Sequence, residues 1–304
     1  MRRQWRPQLI GYWIYAGGRT VLRATGLIEW FRPIAAATAA RWVYRAATDG
    51  STPIAIHGHQ MVLAPEHTYA SPDMTADRYE QDTTRLVERL VKPGQLVMDL
   101  GAHVGYYTLL SAKLVGPSGR VYAFEPESKN YALLQQNIAR NGYQNVTAVN
   151  KAVADVSGAR ELFLSGLDNG FHSLFQLKLR QAPDAQPTVI EAVTLDDFLE
   201  GLGWPRVDLI KMDIEGGELT ALDGMQQLLA RQPSLNLIVE FCPWILETLG
   251  VKPEHFIDRF AGLGFRLQVI GREGTSALDP QDAPKLIQRL LQSDGYTNLF
   301  CQRG

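Results

Sequence analysis

From Lys92 onward the chain alternates short apolar runs with longer amphipathic ones. "QLVMDL" (Gln95–Leu100), "RVYAFEP" (Arg120–Pro126), "NVTAVNKAV" (Asn145–Val153), "VDLIKMD" (Val207–Asp213) and "LNLIVEF" (Leu235–Phe241) are nearly continuous in apolar character, which predicts strands covered on both faces. The segments between the first three, "GYYTLLSAKLV" and "SKNYALLQQNIARNG", have helical spacing, with Ser128 expected as N-cap and Gly142 as the stop. "GFRLQVI" and "YTNLFCQ" close the chain, joined by a long segment from Gly271 to Gly295. Strands spaced by helices predict an α/β, Rossmann-like, doubly wound and mostly parallel sheet.

Two regions depart from this rhythm. Between Val153 and Val207, "ELFLS" and "PTVIEAVTLDDFL" read as strand segments around the polar loop "GLDNGFHSLF", where a substrate wall is expected. Before the sheet, "TPIAIHGHQMVLAP" (Thr52–Pro65) reads as a hairpin, and Ala76–Leu90 is helix-compatible. The chain is therefore divided into a helical N-terminal extension (1–50), a hairpin and linker (51–75) and a main domain (76–304).

Charge separates the first of these from the rest. The 304-residue chain has a net charge of −2, yet residues 1–50 hold eight arginines against Glu29 and Asp49, a balance of +6 that leaves −8 for the remainder. Trp5, Trp13, Trp30 and Trp42 lie in the same basic stretch. Its longest charge-free run, Pro7–Gly18, falls short of the ~20 residues that span a bilayer. Two placements fit: helices lying on an anionic membrane surface, or a cap or homodimer contact with the arginines reaching solvent. Liposome co-sedimentation distinguishes them. The two cysteines, Cys242 and Cys301, have neither metal-ligand nor disulfide spacing, which suits a cytoplasmic protein, here one at the inner face of the membrane if the basic segment docks there. The acidic main domain has no basic stripe, which disfavours nucleic acid as a partner.

The candidate chemistry sits in "VMDLGAHVGYYT" (Val97–Thr108). Asp99, Gly101 and Gly105 form D-x-G-x-x-x-G, with His103 and Tyr106 where a dinucleotide fingerprint would need glycine. An acid two residues before the first glycine suits a ligand with a positive end. Glu125, ending the next strand, can accept hydrogen bonds from both ribose hydroxyls. Together they ask for a nucleoside with a cationic, phosphate-free tail, which describes S-adenosylmethionine (SAM). Asp213 ends the fourth strand in "KMDIEGGE", followed by Glu215 and Glu218, and three such acids could also hold a divalent cation, although none is expected here. An acid at Glu218 equally complements a helix dipole. His172 is the best-placed imidazole for a general base. Tyr106 and Ala152 are candidate cofactor contacts. Glu240 reads either as a substrate-side acid or as the partner of an arginine.

These motifs make the chain resemble a class I SAM-dependent methyltransferase of the FkbM family. The resemblance runs from about Tyr79 to Phe241 and includes "RYE", "KPGQLVMDLGAHVGYYTLLSAKLVG", "VYAFEPESKNYALLQQNIARNG", "NKAVADVSG", "VTLDDFL", "VDLIKMDIEGGELTALDGM" and "LIVEF". It implies that Asp213 is an active-site residue. With the residues read above, the candidate cofactor contacts are Glu80, Asp99, Gly101, His103, Gly105, Tyr106, Glu125, Ala152 and Asp213. The candidate catalytic residues are Asp213, Glu215 and His172, with Tyr106 and Ala152 equally readable as core and His172 as a surface histidine. His103 stands where family members often have asparagine. The implied reaction is O-methylation of a sugar hydroxyl on a bacterial surface glycan or glycolipid precursor, the acceptor being a small molecule or a lipid-linked glycan. A polyketide-type natural product is the alternative acceptor. From other classes, an NAD-dependent dehydrogenase or a silent SAM-binding scaffold compete.

Overall fold

The structure is a computed structural model described over residues 53–63, 74, 79–164, 172–175, 187–279, 281–293 and 295–304. The basic segment 1–50 and most of the loop 165–186 therefore lie outside the described residues. The chain divides into two compact units, residues 1–79 with 168–170, and the remainder. In the first, β1 (Ile54–Ile56) and β2 (His59–Met61) form the expected antiparallel hairpin around His57 and Gly58, both with positive φ.

The second unit opens with α1 (Gln81–Leu90), β3 (Leu96–Leu100), α2 (Tyr106–Val115), β4 (Arg120–Phe124), α3 (Ser128–Arg140) and β5 (Val146–Val149). A small sheet follows, built from β6 (Ala152–Val153), β7 (Gly158–Phe163) and β8 (Pro187–Val193) in the order β6-β8-β7. The chain continues through α4 (Leu195–Gly201), β9 (Leu209–Met212), α5 (Glu218–Asp223), α6 (Gln226–Arg231) and β10 (Leu235–Phe241). It ends with α7 (Pro243–Thr248), α8 (Pro253–Gly262), β11 (Arg266–Gly271), β12 (Gly274–Ala277), α9 (Ala283–Gln292) and β13 (Thr297–Arg303). The main sheet has the order β12-β11-β13-β10-β9-β3-β4-β5. Its β5-β4-β3-β9-β10 portion is parallel and doubly wound, as the pattern predicts.

Three local expectations are revised. "NVTAVNKAV" is two strands in two sheets: Asn150 donates to the carbonyls of Glu125 and Pro126 at 2.8 and 3.1 Å, and the chain leaves the main sheet there. The cap of α3 is Glu127, whose carboxylate accepts from Asn130 N at 2.7 Å, while Ser128 is the first helical residue. The long segment after Gly271 carries β12 and α9, and β13 returns antiparallel between β10 and β11.

Side-chain alternation gives the sheet two different faces. Met98 and Leu100, Ile210 and Met212, Leu237 and Val239, and Leu299 join one core cluster with residues of α4 to α9. The alternate positions face the other way. There, at the carboxyl ends of the parallel strands, the row is polar: Asp99, Lys211, Glu240 and Asn298, all buried. A bond from Asn298 Nδ2 to Thr83 Oγ1 (3.1 Å) ties α1 to this face.

On the apolar face, α6 has no cap of its own, and Asp196 of α4 supplies one. Its carboxylate oxygens accept from Leu228 N at 2.9 Å and Gln227 N at 2.8 Å. Asp196→Ala leaves two amides without their acceptor and is expected to lower stability by about 2 kcal/mol, read from the midpoint of urea unfolding. An unchanged midpoint would show that this cap contributes nothing.

Candidate functional site

The strand order reverses between β3 and β9, because the chain moves from β3 to β4 and β5 on one side and only later returns to place β9 on the other. A ligand crevice opens at the carboxyl ends of strands at such a point. Gly101 lies in it with φ 81°, and a Cβ there would stand 1.9 Å from the Asp213 carbonyl oxygen. The two strand ends touch through backbone, and only glycine permits it. Gly105, with φ 99°, precedes α2, and a Cβ there would stand 2.8 Å from Leu134 Cδ1.

Glu125 is buried beside this turn. One carboxylate oxygen accepts from His103 N at 2.9 Å and the other from Glu127 N at 3.0 Å. His103, with φ 52°, thus acts through its main chain, which the choice of imidazole or amide at this position does not alter. Burial pushes the Glu125 carboxyl up to about 7, against the pull of these two amides. A carboxylate has about four acceptor sites, so capacity remains for a diol.

Asp99 and Lys211 are direct register partners on β3 and β9. Asp99 accepts from Thr108 Oγ1 at 2.6 Å, and burial raises its carboxyl despite Lys211 nearby. Lys211 is the only buried lysine or arginine among the described residues. Its Nζ stands 2.7 Å from Asp213 Oδ2 and 4.6 Å from the centroid of the Tyr107 ring. Burial alone would lower this ammonium, but Asp213, Glu80 and Asp99 outweigh it and push it up. Tyr107 donates its hydroxyl to Glu80 at 2.6 Å, and Tyr296 does so at 3.3 Å. Glu80, with φ 39° at the start of α1, is thereby tied to α2 and to the approach to β13.

The three acids of "KMDIEGGE" separate in role. Glu218 turns back onto the turn before α5, accepting from Ile214 N at 3.1 Å and Gly216 N at 3.4 Å, and burial pushes it up to about 7. The carboxylates that converge are Asp213, Glu215 and Glu240, with one oxygen from each lying within 4.8 Å of the others. Glu240 is thus placed among acids, and burial, then Asp213, Glu215, Glu218 and Glu80, raise it well above the ordinary range.

His172 feels Glu127 and Lys129 at the start of α3, and burial holds its imidazole below the usual range. Its neighbour Ser173 donates to the Glu215 carbonyl at 2.7 Å, so residues 172–175 run from the Glu125 side to the acid cluster. Tyr106 is buried with its hydroxyl 3.1 Å from Thr84 Oγ1 on α1, and Ala152 is buried on β6 opposite Ala192. Sequence reasoning overlooked Lys211, although a lysine inside an apolar strand, on the same parity as a buried acid, was a readable signal.

A pH dependence follows from Glu125 and Glu218. Each is raised by burial from 4.5 to about 7 in the folded protein. Between those values the folded state holds protons that the unfolded chain has lost, so stability falls as pH rises through this window and levels off above it. Thermal unfolding across the window should show a declining midpoint, and Glu125→Gln should flatten part of the decline. A midpoint that rises with pH there, in both proteins alike, would contradict this charge assignment.

Residues 99–267, more than half of the chain, match the family described as Methyltransferase FkbM domain. The chain is 27% identical over 173 residues to the 31-O-demethyl-FK506 methyltransferase FkbM of Streptomyces tacrolimicus, covering 49% of this chain and 65% of that protein. It is 26% identical over 163 residues to the hexuronic acid methyltransferase AglP of Haloferax volcanii, covering 53% of this chain and 62% of that protein. Each match spans less than two thirds of the relative's length. Among solved structures, the methyltransferase FkbM of Methylobacillus flagellatus is similar over 77% of this chain and 54% of that one, with 14% identity and a TM-score of 0.42. With the matched residues running from the acid that opens the glycine turn to β11, the chain belongs to the FkbM methyltransferase family, and its cofactor is S-adenosylmethionine.

Proposed function

We propose that the protein transfers a methyl group from SAM to a hydroxyl oxygen of a sugar, on a bacterial surface glycan or glycolipid precursor. The observation that carries this reading is the Lys211–Asp213 pair, 2.7 Å long, at the carboxyl end of the switch strand β9. The pair places a carboxyl group beside a buried ammonium where an acceptor hydroxyl would approach, and a carboxylate there can take the proton that a weakly acidic hydroxyl must lose. One relative's name favours this acceptor class, a hexuronic acid methyltransferase, while a second relative is a 31-O-demethyl-FK506 methyltransferase. The second name supports an alternative acceptor, a polyketide-type natural product.

The cofactor supplies a methyl group on a sulfonium sulfur, open to in-line displacement. The donor set fits it. Glu125, already holding two backbone amides, would take the ribose hydroxyls, and the Gly101–Gly105 turn leaves backbone bare beside it. Asp99 and Glu80 would lie toward the cationic end, with His103 presenting its main chain and Tyr106 and Ala152 contributing apolar walls. Asp213 would serve both cofactor and acceptor. Glu215 would shape the acceptor side, and His172 would stand over the nucleoside side rather than act as the base. A charge-relaying carboxylate is worth about 10²–10⁴-fold in rate.

The test is transfer of tritiated methyl from SAM to fractionated extract. Label is expected in glycan or glycolipid fractions, and Asp213→Asn should reduce it by at least about 10²-fold at saturating SAM. Label confined to protein or nucleic acid would refute the sugar reading, and label in a small apolar product would favour the natural-product alternative.

A further inference from the structure

Beyond Asp213, the acid cluster holds a second carboxyl whose surroundings are unlike the first. Glu240 lies on β10 directly across the antiparallel ladder from Asn298 on β13. Opposed residues on such a ladder share a face, with Cβ atoms about 4.5–5.5 Å apart. Asn298 is 6% exposed, its Nδ2 is fixed on Thr83 Oγ1, and its Oδ1 is buried without a hydrogen-bond donor. A buried acceptor of this kind ordinarily costs about 1–3 kcal/mol unless something donates to it. The residue opposite it on the ladder is Glu240, and a carboxyl donates only when protonated.

The charges around the pair agree. From the end of β9 and the turn beyond come Asp213, Glu215 and Glu218, and from the start of α1 comes Glu80. Burial raises Tyr296, ahead of β13, and Cys242, two residues beyond Glu240, with Glu80 and Glu240 the next causes at the tyrosine and Glu240 the next at the cysteine. Lys211 is the buried cation of this face, and it is engaged with Asp213. Asp213 therefore has the ammonium, while Glu240 has other acids around it and Asn298 opposite it on the ladder.

We propose that Glu240 is a neutral carboxylic acid in the working enzyme, donating its proton to Asn298 Oδ1, so that Asp213, the partner of Lys211, is the carboxyl of the two that faces the acceptor as a base. Glu240 is thus a positioning residue: it touches no reacting atom, but it fixes which carboxyl can take the acceptor's proton. Two carboxyls in one site with environments that separate their protonation states divide acid and base roles in this way. The consequence for catalysis rests on the hydroxyl-methylation reading, whereas the proton on Glu240 does not.

Infrared spectroscopy of the full-length protein near neutral pH tests it without any acceptor. A protonated-carboxyl C=O band should be present in the wild type and lost in Glu240→Gln, with the bands of Glu125 and Glu218 cancelling in the difference. Asn298→Val removes the acceptor but keeps the acid, so the same band should persist and move to higher frequency, which serves if Glu240→Gln does not fold. No band difference between wild type and Glu240→Gln, or an unmoved band in Asn298→Val, overturns the proposal. So does tight Mn2+ binding, read by water-proton relaxation, that Glu240→Gln abolishes, since a cation would then occupy the place of the proton. Methyl transfer to sugar without the band would leave the proposed function standing and this assignment refuted.

Discussion

One buried ammonium organises the functional face of the sheet. Lys211 sits on β9 between Asp99, its register partner, and Asp213, its ion-pair partner, with the Tyr107 ring beneath it. Around it the fold gathers Glu80, Glu215, Glu218 and Glu240, a density of carboxyls that a low-dielectric site tolerates only with compensation. Lys211 supplies part of it. Backbone amides supply another part at Glu125 and Glu218, and protonation the rest. Removing one partner of a buried pair leaves an uncompensated charge at a cost of about 3–5 kcal/mol, so stability and site electrostatics are not separable here.

Steric contact gives the same region its shape. The backbone approach of Gly101 to Asp213 brings the ends of β3 and β9 together at the point where the strand order reverses. Because the acids are borne by strand ends and by turns locked to them, their spacing is set by the sheet register rather than by loops. Residues 172–175, held through Ser173 on the Glu215 carbonyl, are the exception, a short piece of the inserted region fastened to the rigid frame.

Most of the parallel half was legible because its strands are apolar on both faces and its helices carry the usual stops. That Asp99, Gly101, Gly105, Glu125 and Asp213 end up around one strand-end crevice could be read because spacing after a strand is a local property. What escaped depends on pairing across the chain. Nothing local says that β13 inserts antiparallel between β10 and β11, and therefore that Asn298 lies opposite Glu240. Lys211 was visible in "LIKM" but acquires meaning only from its register with Asp99. The surroundings of His172 depend on pairing too, since burial, then Glu127 and Lys129, set its imidazole. Glu218 likewise reads as one of three acids in sequence, and the fold turns it onto the amides of its own turn.

The central claim is that a cationic nucleoside, not a dinucleotide, occupies the crevice over Asp99, Glu125 and the Lys211–Asp213 pair. Isothermal titration of the full-length protein with SAM and, separately, with NAD tests it most directly. Binding of SAM, weakened by Asp99→Ala and by Glu125→Ala in proteins that remain folded, with no heat from NAD, is the predicted result. Binding of NAD without SAM, or SAM binding untouched by both substitutions, would contradict it.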